Sequence, residues 1–160
     1  MTTYDSTKDT LTHIANVQNE IGYIALDLIE RGNQHDWSKL QAPEKEALDV
    51  YTPLLKDTTY DGPPRIQEPQ FQAYLAHHYA LNSHHPEFYT YGIDDMTLMD
   101  IIEMLCDWHA ATLRHADGSI AKSLEINRTR FKIGDQLLHI LENTALALGW
   151  IAHTSERNAP

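Results

Sequence analysis

The 160-residue chain predicts an all-α fold of five to six helices in one domain. Three observations lead there. Apolar residues recur at three- and four-residue steps, clusters of Gly, Pro, Asp and Asn separate those runs, and no segment shows the alternation of a strand. The length fits a single domain able to bury its own core.

Ser6 opens the first element, where Leu11, Ile14, Val17, Ile21, Ile24 and Leu28 form one stripe and Gly32-Asn33 supplies a stop, so a helix is expected over residues 7–31. A short stretch from His35 to Leu40 follows. Ala42-Pro43-Glu44 then starts a helix with proline in its first turn, running towards Leu55 with a bend at Pro53. Residues 57–65 collect Asp, Thr, Gly and two prolines and read as a loop. The next helix is expected from about Gln67 to Ser83, with Phe71, Tyr74, Leu75 and Tyr79 inward. Asp94 or Asp95 is expected to cap the most hydrophobic segment, Met96 to His115, as a central helix closed by Asp117-Gly118. Ser119 to Leu148 forms the last long segment, with Gly134 as an interruption, and residues 154–160 form a frayed tail.

Composition excludes several classes. Twelve Lys and Arg against 23 Asp and Glu leave a formal charge of −11, which disfavours duplex nucleic acid and anionic membranes. The single cysteine, Cys106, cannot form an internal disulfide and sits in an apolar run, so it reads as core rather than nucleophile. With no basic leader and no long apolar span, a cytoplasmic protein is expected. Histidine is the departure: ten in the chain, a side chain that binds metals and moves protons near neutral pH.

Three constellations gather the chemistry. His35-Asp36 with Lys39 offers a neutral nitrogen beside an anionic oxygen, a donor pair that suits divalent metals. On the central segment Asp100, Glu103 and Asp107 stack at helical spacing among apolar residues, and a carboxylate drawn into the interior needs a proton or a cation. His77-His78, Asn82 and His84-His85-Pro86-Glu87 place four histidines within nine residues. The alternatives there are metal or phosphate binding and a polar helix end with incidental imidazoles. His13 shares a helical side with Val17 and Ile21, which points it towards a core or a pocket. Zincin spacing, a phosphate loop and a serine elbow are all missing from the sequence.

In order and type, His13, His35-Asp36 with Lys39, His78, His85 and Asp107 resemble the HD-domain metal-dependent phosphohydrolases. That all-α superfamily is defined by His, then His-Asp, then Asp. His84-His85-Pro86-Glu87 is similar to the double-histidine element of its two-metal branch. More narrowly, the text from Tyr4-Asp5-Ser6-Thr7 to Asp107-Trp108 is similar to a small uncharacterised family of bacteriophages and bacteria.

The resemblance implies one divalent cation (Mn, Fe, Co, Ni, Mg or Zn) on His13, His35, Asp36 and Asp107. His78 and His85 would then bind a second cation or phosphate. By the same resemblance Lys39 contacts phosphate, Glu103 orients or deprotonates water, and Asn82, His84, Arg114 and Arg130 contact substrate. The implied activity is hydrolysis of a nucleotide or related small phosphoester by metal-activated water. The alternative is a phage-type module that binds a nucleotide or a host protein through its metal/His site without turnover. A homodimer stays open.

Overall fold

The computed structural model describes residues 4–55 and 66–152, so the loop expected at 57–65 and the tail expected at 154–160 lie outside the described residues. Among the described residues there are six α-helices and no strand: α1 (Thr7–Gln34), α2 (Glu44–Leu55), α3 (Pro69–Leu81), α4 (Leu98–Thr112), α5 (Ile120–Phe131) and α6 (Asp135–Ala147). Short 3-10 turns span Trp37–Leu40, Pro86–Phe88 and Gly92–Asp95. The chain divides into two units, residues 1–35 and 36–160.

The first unit is α1. Asp5 rather than Ser6 serves its start, accepting from the Thr7 amide at 3.0 Å and the Thr7 hydroxyl at 2.6 Å, while Ser6 makes no side-chain cap bond. Gly32 does not end the helix. It keeps an ordinary φ, the positive-φ glycines being Gly92 and Gly149, and the chain leaves the helical region only at His35. Glycine weakens a helix by about 1 kcal/mol but stops it only when it turns left-handed. No residue of α1 is buried, and His13, expected to face inward, is exposed.

The second unit opens on Asp36, a non-glycine residue held in the left-handed region at φ 56°. Pro69 at the first position of α3 starts that helix two residues later than expected, where its missing N–H is harmless. Pro53 is accommodated within the last turn of α2.

Neither Asp94 nor Asp95 caps α4, since both lie in the preceding 3-10 turn. Thr97 caps it instead, its hydroxyl oxygen accepting from the Asp100 amide at 3.2 Å while Asp100 Oδ2 accepts from the Thr97 amide at 2.9 Å. A side-chain acceptor at the third helical position, here the Asp100 carboxylate, is what returns such a bond. Gly134 does interrupt the last segment: α5 ends as Lys132 turns left-handed at φ 55°, and α6 begins after Gly134.

The core joins α4, α5 and α6 through Met104, Leu105, Trp108, Ile120, Leu124, Ile133, Leu138, Leu141 and Ala145. Trp108 stacks on Phe131 with centroids 6.0 Å apart. Burial on α4 therefore follows one side, and Cys106, two residues from Met104 and so on the opposite side, is exposed rather than core.

Asp100 ties this core to the chain before α4. It is buried, and beyond its cap bonds it accepts from Ser83 Oγ at 2.7 Å and Tyr89 OH at 2.8 Å. Burial works to raise its pKa, but the bonds from Thr97, Ser83 and Tyr89 outweigh it and hold the carboxyl well below the usual carboxylate range. A depressed carboxyl contributes stability that is present above the unfolded value, near 3.9, and is lost as pH falls below it. Asp100→Ala removes both the cap and the acceptor of two hydroxyls, an expected loss of about 2–4 kcal/mol at neutral pH. Urea unfolding checks it, and the gap to wild type should narrow below about pH 4.

Candidate metal centre

The second unit brings together four side chains that the sequence scatters over fifty positions. Asp36, His78, His84 and His85 each offer one ligand atom, and these atoms lie within 4.8 Å of one another. Three local features place them. The left-handed turn at Asp36 sets its carboxylate at the head of the Trp37–Leu40 turn, His78 lies in the last turn of α3, and His84 and His85 fall in the bend before Pro86–Phe88. His78 and His84 are buried, while Asp36 and His85 are half-buried.

The distances suit a cation. Asp36 Oδ1 lies 3.3 Å from His78 Nε2 and 3.6 Å from His84 Nε2, and His78 Nε2 lies 2.9 Å from His85 Nε2. For donors about 2.1 Å from a metal, separations of about 3.0 Å and about 3.4 Å correspond to right-angled and tetrahedral edges. An approach of 2.9 Å between two imidazole nitrogens also requires a shared proton or a shared cation.

Carboxylates behind the histidines fix which nitrogen faces the centre. Glu44, fully buried at the start of α2, meets His78 Nδ1 at 2.9 Å through Oε2 and His77 Nδ1 at 2.9 Å through Oε1, and also accepts from Ser38 Oγ at 2.9 Å. Glu103 Oε1 lies 3.1 Å from His84 Nδ1. With Nδ1–H directed to a carboxylate, each Nε2 presents its lone pair to the centre, the arrangement that orients metal-binding histidines. Burial acts to raise the Glu44 pKa, but the bonds from His77, Ser38 and His78 outweigh it and keep the carboxyl below its usual range. Burial, with His84 and His78 alongside, pushes the His85 imidazole down to about 3, which leaves it neutral with a lone pair to offer.

The other expected site residues fall as follows. A carboxylate oxygen of Asp107 lies within 4.8 Å of one of Asp36. Lys39 Nζ is ion-paired with Asp36 Oδ2 at 2.5 Å. Asn82 Nδ2 donates to the His78 carbonyl at 2.7 Å and to Ser38 Oγ at 3.1 Å, bracing the end of α3. Arg130 pairs with Glu87 at 2.6 Å and bonds Tyr79 OH at 3.1 Å, whereas Arg114 is exposed. His13 and His35 belong to the first unit.

Two assignments shift. His84, expected at substrate, sits in the donor set itself, and Glu44 was not singled out from sequence at all. Its contacts with His77 and His78 span 33 and 34 residues, so no local spacing signals them. The clue in reach was an acid just after Ala42-Pro43 at a helix start, where many acids sit for the helix dipole alone.

The fold and this cluster define an all-α protein with a histidine and carboxylate constellation that could hold a metal ion. The chain belongs to DUF5662, a family of unknown function whose model matches residues 2–147. No curated protein and no solved structure matches it.

Proposed function

We propose that the second unit is a metal-dependent phosphohydrolase of HD-domain type, acting on a nucleotide or a related small phosphoester. The observation that carries this reading is the convergence of Asp36, His78, His84 and His85, with Glu44 and Glu103 holding two of the imidazoles from behind. A divalent cation in that donor set would neutralise phosphoryl oxygens and acidify water at neutral pH.

The residues of the chain supply the rest. Within the donor set itself Asp36 is the one charged ligand, so a dication held there would keep positive charge to offer an anionic oxygen, set against the surrounding carboxylates of Glu44, Glu103 and Asp107. Lys39, paired with Asp36, is the side chain that would contact a phosphate oxygen in this reading. Asp107, close to Asp36, and Glu103, through His84, hold carboxylates where a water proton can be accepted or an imidazole steadied. No serine or cysteine nucleophile is required, because phosphoryl transfer depends chiefly on alignment and charge neutralisation.

A module that holds an ion without turnover is the competing reading. It draws on Lys39 and Arg130 both being ion-paired within the chain. Elemental analysis of the purified protein, followed by phosphate release from a nucleotide panel with Mn, Co, Ni or Mg, separates the two. Stoichiometric metal with phosphate release, lost in His84→Ala, supports hydrolysis. Metal without release under every cation supports the holding module, and no metal uptake overturns both.

A further inference from the structure

From α1 itself we infer that this helix is the interface between two copies of the chain. Leu11, Ile14, Gln18, Ile21, Ala25 and Leu28 follow strict alternating steps of three and four over the 28-residue helix, the repeat of a two-helix seam. Val17 and Ile24 widen that seam on one flank, and Ala15 and Gly22 on the other leave room for close approach. Leu11, Ile14, Val17, Ile21 and Ile24 are 42–61% exposed, and no residue of the helix is buried.

A stripe running about 26 Å from Leu11 to Leu28 is not a scatter of surface apolars. Complete burial of the exposed parts of Leu11, Ile14, Val17, Ile21 and Ile24, with half-buried Leu28, would remove at most on the order of 1,000 Å² from water over the two copies. That lies at the lower limit for a specific interface, so the pairing is expected to be weak and to depend on concentration.

Charge selects a second copy as the occupant. The molecule carries −11 overall, so like copies repel unless the meeting face is spared acid. All four carboxylates of α1, Asp9, Glu20, Asp27 and Glu30, fall more than a quarter-turn from the centre of the seam. Only the cations Lys8 and Arg31 flank it, at its two ends. Gln18 is the one polar side chain inside, the kind of residue that fixes register between paired helices at some cost in stability. An acidic or basic peptide would find no opposite charge along this seam, whereas an identical seam matches it in length and polarity.

Sedimentation velocity of the full chain across about 1–100 µM tests the inference. The expected result is a concentration-dependent mass of twice 18.3 kDa. Ile21→Glu, which places a carboxylate in the seam, is expected to weaken association at least about tenfold. Tyr23→Glu, on the opposite face, is expected to leave association unchanged. A circular-dichroism melt of each variant verifies folding, and Ile14→Lys repeats the seam test should Ile21→Glu fail to fold. A mass of 18.3 kDa at every concentration overturns the inference, as does an equal response to the seam and opposite-face changes.

Discussion

Chelation of the metal-loaded protein is expected to lower its melting temperature by about 5–10 °C, and Asp36→Asn is expected to melt at the lower value with no response to chelator. A ligand bound only by the native state at about 100 times its dissociation constant adds about 2.7 kcal/mol. For a chain of this size each kcal/mol moves the melt by roughly 2–4 °C. Asp36 is the decisive position because it supplies the only oxygen in a set otherwise made of imidazole nitrogens. Asparagine is the right replacement. Asp36 sits at φ 56°, a conformation that asparagine tolerates and alanine resists, so Asp36→Asn removes the charge and leaves the turn. Scanning calorimetry with and without EDTA reads the effect. An identical melt in wild type under both conditions would remove the metal from the account of this site.

Glu44→Ala is expected to be the most destabilising single change at the centre, by about 3–5 kcal/mol, as for a buried charge partner withdrawn from its hydrogen-bonded group. The carboxylate is fully buried and takes up three donors, from Ser38, His77 and His78; its loss strands the buried His78 where water cannot replace it, while His77, 41% exposed, can turn to solvent. Glu44→Gln keeps the volume but can accept through one oxygen only, and its amide N–H₂ then confronts an imidazole N–H. Its expected cost in stability is smaller, while metal affinity falls about 10–100-fold, the usual penalty for losing a carboxylate behind a ligating histidine. Urea unfolding and metal titration of the two variants check this pair of outcomes. Equal metal affinity in Glu44→Gln and wild type would mean that Glu44 serves folding alone.

The helices were legible because burial writes its period into the text. Leu105, Trp108 and Thr112, or Leu138, Leu141 and Ala145, announce a buried side without any knowledge of what covers it. Boundaries were less legible where two signals competed. Gly32 looks like a stop, yet a glycine ends a helix only if its φ turns positive, and the local sequence does not settle that. Thr97 with Asp100 was readable as a reciprocal cap, but two acids just upstream offered a simpler one. Cys106 shows the limit of an apolar run: its neighbours predicted burial, and the helix phase set by Met104 and Trp108 turned it outward.

At the centre, the sequence by itself determined the donor types and the local devices that aim them. These are a His-Asp pair at a turn, histidines at a helix end and in the bend after it, and acids spaced along a late helix. Only the tertiary structure decided which of them converge, that His84 joins the donors, and that Glu44 stands behind His77 and His78. The reason is physical. Helical periodicity is a property of neighbours within a few residues, whereas a shared ion or a buried carboxylate is held by groups that meet only after α2, α3 and α4 have packed.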